Sequence, residues 1–408
     1  MSTMSACRAC KSDHLFMFLP LGSHPPANAF LRADQLDQPE FSCPLDTHVC
    51  LACGLIQVPN RIPPDFFRNY LYVPSASETM HGHFEEFARR ICGPIVEDPD
   101  GLVVDIGSND GLFLGFVTRL GWRALGIEPA TNLAALARAR GVETVNEYFG
   151  SDTARDVRAR HGAARVITTT NTFNHIDDLH GFMSGVAALL DDRGTFIIEV
   201  PHAVDLVEKN EFDTVYHEHV SEFSVKSIVD LLARFDMVVT DVERLPIHGG
   251  SMRVSGRRRT SGVSSTVAAE WIRGEADAGL FEKATYIAFK ERVETIRSEL
   301  MALLHDLKRA GKRLAGYGAP AKGNTLLNYY GIGPDLLEFL ADRNPLKHGL
   351  YSPGMHIPVV PADRVLETRP DYLLILAWNF ADEIMAQQAE YARGGGRFIL
   401  PIPRPLVV

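Results

Sequence analysis

Leu102-Val103-Val104-Asp105-Ile106-Gly107-Ser108-Asn109-Asp110-Gly111 decides how this chain is read. The run Leu102 to Ile106 is apolar apart from Asp105, as expected of a strand buried on both faces, and Gly107 ends it. Working outward, Leu125-Gly126-Ile127-Glu128 is the next strand, and Leu133 to Arg140 is an Ala-rich helix stopped by Gly141. Val166 to Thr169 and Phe196 to Val200 are further strands. This β–α alternation predicts an open parallel sheet with helices on both faces, an α/β fold. Upstream, Pro64 to Cys92 reads as a connector with a polar, aromatic run (Tyr70, Tyr72, Ser75, Ser77), then a helix around Phe84 and Phe87.

In such sheets ligands bind at the carboxyl ends of the strands, at the switch point. Gly107 allows a tight turn and a close approach of backbone to ligand. Glu128 closes the next strand about 20 residues on, the place for an acid that accepts both ribose hydroxyls. A dinucleotide would need G-x-G-x-x-G to seat its pyrophosphate. Here the loop is G-x-x-x-G, and Asp105 and Asp110 would repel pyrophosphate but suit an amino group and a sulfonium. Loop, acid spacing and strand order together resemble the class I S-adenosylmethionine methyltransferases, with their Rossmann-like sheet. On that resemblance Asp105, Gly107, Asn109, Asp110, Glu128 and Asn171 contact the cofactor. Asn146 and Phe149, with Tyr148, stand where the third strand should end and offer an adenine pocket.

The start of the chain is rich in Cys and Pro. Cys7-Arg8-Ala9-Cys10 and Cys50-Leu51-Ala52-Cys53 supply four thiolates, a set that suits structural zinc with no open position for chemistry. The long segment between them carries an insertion of its own. Cys43 and Cys92 read as buried small hydrophobes. Six cysteines mostly in two close pairs fit a metal site in a reducing cytosol better than a disulfide framework, and the expected location is cytoplasmic. A net charge of -10 argues against nucleic acid as partner. Neither a signal pattern nor a membrane-spanning apolar run is evident.

Near Glu282 a long helix begins, in which Tyr286, Phe289, Val293, Ile296, Leu300, Leu303 and Leu307 form one apolar stripe that would bridge two domains. A second α/β unit follows, with strands at Arg313 to Ala315, Leu337 to Ala341, Tyr372 to Leu376 and Phe398 to Leu400. Its first loop, Gly316-Tyr317-Gly318-Ala319-Pro320-Ala321-Lys322-Gly323-Asn324, could cradle a diphosphate on helix N–H groups, with Lys322 adding charge. It lacks the G-K-[ST] ending of a P-loop.

Ionisable groups concentrate in Asn171-Thr172-Phe173-Asn174-His175 and Tyr216-His217-Glu218-His219, both expected on the acceptor side of the methyl group. The histidines at 217 and 219 lack metalloenzyme spacing. With the two C-x-x-C pairs, the cofactor loop, His248-Gly249-Gly250 and the Gly316 to Lys322 string, the chain resembles the sugar C-methyltransferases of deoxysugar biosynthesis. The likeness runs nearly end to end.

That resemblance implies a zinc-binding domain over 1–68, a methyltransferase domain over 69–275 and a C-terminal α/β nucleotide-sugar-binding domain over 276–408. It implies a nucleotide-linked (dTDP) 4-keto-deoxysugar as small-molecule acceptor, methylated beside the ketone, with C3 and C5 both open and C3 preferred, in the biosynthesis of an antibiotic. Such a carbon must lose a proton before it attacks the methyl group, so the site needs a base and donors to the enolate oxygen. His219 is expected to be that base, oriented by Glu218, with Tyr216 and His175 on the oxygen. Tyr70, Tyr72, His248, Lys322 and Asn324 are expected to bind substrate. His217 has no assigned role. An O- or N-methyltransferase would need no enolate, and a zinc-ribbon binding protein with an inactive fold would not bind S-adenosylmethionine. Acidity disfavours an RNA methyltransferase. Oligomeric state is not legible.

Overall fold

A computed structural model describes residues 4–59, 62–93, 101–262 and 265–408. Its strands form three sheets. The first has β1 (Leu15–His24), β2 (Cys43–Cys50) and β3 (Ile56–Gln57), in antiparallel order, and ends on a strand lent from far along the chain. The central sheet contains β4 (Leu102–Ile106), β5 (Arg123–Ile127), β6 (Thr144–Val145), β7 (Ala164–Thr170) and β8 (Leu190–Pro201). The lent strand, β9 (Ser221–Glu222), comes next and pairs with β3. β10 (Met237–Leu245) and β11 (Ser251–Arg258) complete the central sheet in the order β10-β11-β8-β7-β4-β5-β6. β11 runs antiparallel to both β10 and β8, so the expected parallel sheet carries one reversed strand just inside its β10 edge.

β4 is buried at all five positions, as its apolar run requires, and stands at the switch point between β5 and β7. Helix Leu112–Arg119 leaves its loop, and helix Thr131–Ala139 follows β5, ending at Gly141 in the left-handed region. The connector's helix, Glu78–Cys92, buries Phe84 and Phe87 against Phe113 and Leu114. Cys43 and Cys92 are buried, as small hydrophobes should be.

Helix Lys283–Arg309 buries Tyr286, Phe289, Val293, Ile296, Leu300 and Leu304. The stripe drifts at its end: Leu304 takes the core position, while Leu303 and Leu307 flank it half-buried. Its partners are Phe18 and Leu19 of β1, Val204 and Val207 of the central unit, and Leu326 of the C-terminal unit. One apolar core therefore runs through all three units, each large side chain contributing about 1.5–3 kcal/mol. The C-terminal sheet contains β12 (Leu314–Tyr317), β13 (Leu340–Asp342), β14 (Val359–Pro361), β15 (Tyr372–Ile375), β16 (Arg397–Leu400) and β17 (Leu406–Val407). Its order is β14-β13-β12-β15-β16-β17, parallel except for β17. Among the described residues no helix is long and apolar enough to cross a membrane.

Candidate active site

A cavity of about 630 Å³ opens at the carboxyl ends of β4, β5 and β7 and is walled on its far side by the C-terminal unit. At the β4 end the backbone turns at Gly107, where φ is 74° and a Cβ would meet Thr172 Oγ1 at 2.2 Å. No other residue fits there. Asn109 also takes a positive φ. Its N–H donates to Glu128 Oε2 (2.8 Å), and the Ala130 N–H donates to Glu128 Oε1 (2.8 Å). Each Glu128 oxygen keeps a lone pair for a ribose hydroxyl. Asp105 accepts from Thr168 Oγ1 (2.7 Å). Burial pushes Asp105 and Glu128 up to about 7. Asn171 lines the cavity from the left-handed region, its N–H held by Glu199 O.

Three expected cofactor contacts are arranged differently. Asp110 reaches the cavity wall, but its Oδ2 accepts from Arg140 Nη1 at 2.6 Å, so its charge is spent on the loop itself. Asn146 points inward, donating to Glu128 O (2.8 Å) and Pro129 O (3.0 Å) and accepting from Thr131. Phe149 packs edge-on against Phe182 in the core. Neither Asn146 nor Phe149 lines the cavity, whereas Tyr148 does.

Facing this loop across the cavity are His175, Tyr216 and His219. The His175 and His219 ring centroids lie 5.0 Å apart. A turn closed by the His219 N–H on Tyr216 O (2.9 Å) stacks the Tyr216 and His219 rings at 4.0 Å. Nδ1 of His219 meets Glu222 Oε1 at 2.9 Å, and Nε2 meets the Tyr216 hydroxyl. When Glu222 is ionised it holds a proton on Nδ1, leaving the Nε2 lone pair toward the hydroxyl. Burial raises Glu222 well above the usual carboxylate range, and burial first, then the charge of Lys322, depresses His219 to about 3. Lys322 favours loss of a proton from both, and so favours the form with a free lone pair. His175 is held far down by burial and then by His219.

Glu218 does not orient His219. Its oxygens accept the Asn28 N–H (3.1 Å), the Asn28 side chain and the Tyr70 hydroxyl (3.0 Å), and it is fully buried outside the cavity wall. The turn sends the two neighbours apart, so Glu218 serves the N-terminal unit while His219 faces the cavity. The carboxylate in contact with His219 is that of Glu222. Buried His217 meets Cys43 O at 2.9 Å and is an anchor.

Of the expected substrate contacts, Tyr70, Tyr72 and Lys322 line the cavity. Tyr70 and Tyr72 lie in the connector, which Asn109 and Asn132 hold by the carbonyls of these two residues. Lys322 stands over the Trp378 ring (4.3 Å), and Trp378 Nε1 donates to Asp213 Oδ2 (2.8 Å). Asn324 is turned away, buried and donating to Ala27 O at 2.7 Å, because its helix, Ala321–Tyr330, presents that face to the N-terminal unit. His248 falls in the single turn Ile247–Gly249, and its side chain lies outside the described residues. Missed altogether was Asp342 at the end of β13, whose Oδ2 accepts the Ala319 N–H at 2.6 Å. The strand-end rule that found Glu128 would have found it.

The four expected metal ligands converge. The Sγ atoms of Cys7, Cys10, Cys50 and Cys53 all lie within 4.8 Å of one another. Cys7 to Cys53 and Cys10 to Cys50 are 3.6 Å. Four sulfurs about 2.3 Å from one zinc ion stand roughly 3.8 Å apart, so the cluster fits closed tetrahedral zinc.

Three families match successive segments: a zinc binding domain family over 7–67, a methyltransferase domain family over 80–242, and the C-methyltransferase C-terminal domain over 246–403. A curated relative, C-methyltransferase NovU of Streptomyces niveus, is 38% identical over 405 residues, covering 98% of this chain and 96% of that one. Among solved structures, magnesium protoporphyrin IX methyltransferase of Synechocystis PCC 6803 aligns over 44% of this chain and 84% of its own, with 13% identity and a TM-score of 0.33. Geranyl diphosphate C-methyltransferase of Streptomyces coelicolor A3(2) aligns over 39% and 71%, with 14% identity and a TM-score of 0.31. Likenesses of that size add nothing to the sheet order already described.

Proposed function

Because this chain belongs to the S-adenosylmethionine-dependent C-methyltransferases with a zinc-binding module, we propose that its acceptor is a nucleotide-linked 4-keto-deoxysugar, methylated at the carbon beside the ketone, C3 in preference to C5. One observation carries the reading: a buried carboxylate–imidazole–phenol chain, Glu222–His219–Tyr216, faces the same cavity as the cofactor loop.

When bound along Asp105, Glu128 and Asn171, S-adenosylmethionine supplies an electrophilic methyl group. Nε2 of His219 takes the proton from the acceptor carbon, and Glu222 stabilises the imidazolium so formed. The acceptor displaces the Tyr216 hydroxyl from Nε2, and that hydroxyl then donates to the developing enolate oxygen together with His175. Lys322 and the first-turn N–H groups of helix Ala321–Tyr330, at Ala321 and Lys322, receive the diphosphate, and Tyr70 and Tyr72 close over the cleft. Holding the carbon on the methyl side of the cavity supplies the rest of the acceleration.

The test is mass spectrometry of dTDP-linked 4-keto-deoxysugars incubated with enzyme and cofactor. A gain of one methyl group on carbon is expected. Methylation of oxygen or nitrogen instead, or no turnover of any keto-sugar, would overturn the reading.

A further inference from the structure

Arg8 stands between two cysteines of the zinc cluster, and its side chain is 8% exposed. Nε and Nη2 donate to Asp177 Oδ1 (3.1 and 2.9 Å). Nη1 donates to Val220 O (2.6 Å) and Ser221 Oγ (3.2 Å), and Nη2 to Val58 O (2.9 Å). These contacts use every N–H that a guanidinium owns. Asp177 lies two residues after His175, and Val220 directly follows His219. One side chain thus ties the loop carrying each imidazole to the strand leaving the second knuckle.

The backbone around it repeats the connection. Gln57 Oε1 accepts the Arg8 N–H at 3.0 Å. In the β3–β9 pair, Ile56 faces Glu222 and Gln57 faces Ser221. The Ser224 hydroxyl donates to Cys53 O, and the Val58 N–H to Val220 O (3.1 Å). The strand that presents Glu222 to His219 therefore hangs on the knuckle. Cys7, Cys50, Cys53 and Leu55 share one core with Phe173 and Phe223, which bracket the two imidazole loops.

We propose that Arg8 is a positioning residue for methyl transfer: seated by the zinc knuckle, it fixes the placement of His175 and His219 across the cavity. This rests on His219 being the base. Lysine cannot replace it, because a single ammonium on a flexible stem cannot span acceptors on three segments. A misplacement of about 1 Å at a reacting group can cost about 100-fold in rate. That is how a closed metal site without chemistry of its own reaches the reaction.

The test uses the full-length, zinc-loaded chain and compares Arg8→Lys and Asp177→Ala with wild type. Bound zinc and the stoichiometry and Kd of S-adenosylmethionine are measured first, then long-range ¹H–¹⁵N spectra of the histidine rings, then kcat and KM. Zinc content and cofactor stoichiometry should hold, with Kd within about twofold. The His175 and His219 ring signals should shift, and kcat should fall about 10- to 100-fold for Arg8→Lys with KM for cofactor unchanged. Unmoved ring signals, or an unchanged kcat, would overturn the proposal. If Arg8→Lys loses zinc, Asp177→Ala decides, since Asp177 lies outside the zinc module, though on the cavity wall beside His175: an unmoved His219 ring signal, on the other loop, overturns the proposal and a shifted one sustains it. A wild-type enzyme silent on every keto-sugar would instead sink the acceptor assignment, while the ring spectra still decide the role of Arg8.

Discussion

The loops Asp105–Gly111 and Gly316–Lys322 are built alike and charged oppositely. Each leaves a parallel strand, turns at a glycine in the left-handed region (φ 74° at Gly107, 84° at Gly318) and opens a helix. Each is pinned by the acid that ends the next strand, Glu128 taking the Asn109 N–H and Asp342 the Ala319 N–H. The first loop adds carboxylates, and burial holds Asp105 and Glu128 near 7. The second adds Lys322 and buried Lys347, whose Nζ donates to Ala319 O at 2.7 Å. One backbone device thus carries either sign of charge, and the side chains choose. The acidic loop suits S-adenosylmethionine, and on the proposed function the basic one receives a diphosphate. His219 stands on the wall of the cavity they share.

The comparison is broken most severely at that junction. His219→Asn should lower methyl transfer about 10²- to 10⁴-fold while leaving cofactor Kd within about twofold. Next is the acidic loop. Asp105 and Glu128 have raised pKa values, so they bind a cation in their ionised forms and lose it as pH falls below 7. Cofactor affinity should fall by up to about tenfold per pH unit for each acid between pH 7 and 5.5, read by calorimetry. A flat profile would remove the electrostatic half of the contrast.

The basic loop should answer differently. In Lys322→Met the dyad loses a charge that favoured deprotonation of Glu222 and His219. The acid limb of the rate profile should therefore move to higher pH, and inhibition by a nucleoside diphosphate should weaken about tenfold, with cofactor Kd unchanged. The smallest effect is expected at Asn324→Ala. It should cost about 1 kcal/mol in urea unfolding through the lost bond to Ala27 O, with no change in KM.

What was legible in the sequence was what repeats locally. Strand, glycine loop and strand-end acid follow period and spacing, so β4, its loop and Glu128 could be read directly. The long helix was read nearly to its end, where its true period put Leu304 rather than Leu303 in the core. The cysteine spacing announced a ligand set, and the four sulfurs meet. What depended on tertiary pairing was not legible. Glu218 adjoins His219 in sequence, yet the two diverge and a turn brings Glu222 instead. Asn28 and Arg8 act from the N-terminal unit on side chains and carbonyls far away in sequence. Asn146 and Phe149 occupy the right strand end, but one is consumed by backbone carbonyls and the other by Phe182.

Loss of hydrogen from the acceptor carbon, separated from methyl transfer, tests the chemistry most directly. In D₂O, with S-adenosylhomocysteine in place of the cofactor, the wild-type enzyme should wash deuterium into the position beside the ketone of its keto-sugar. His219→Asn should not. Equal exchange by both proteins would contradict the assignment of His219 as the base.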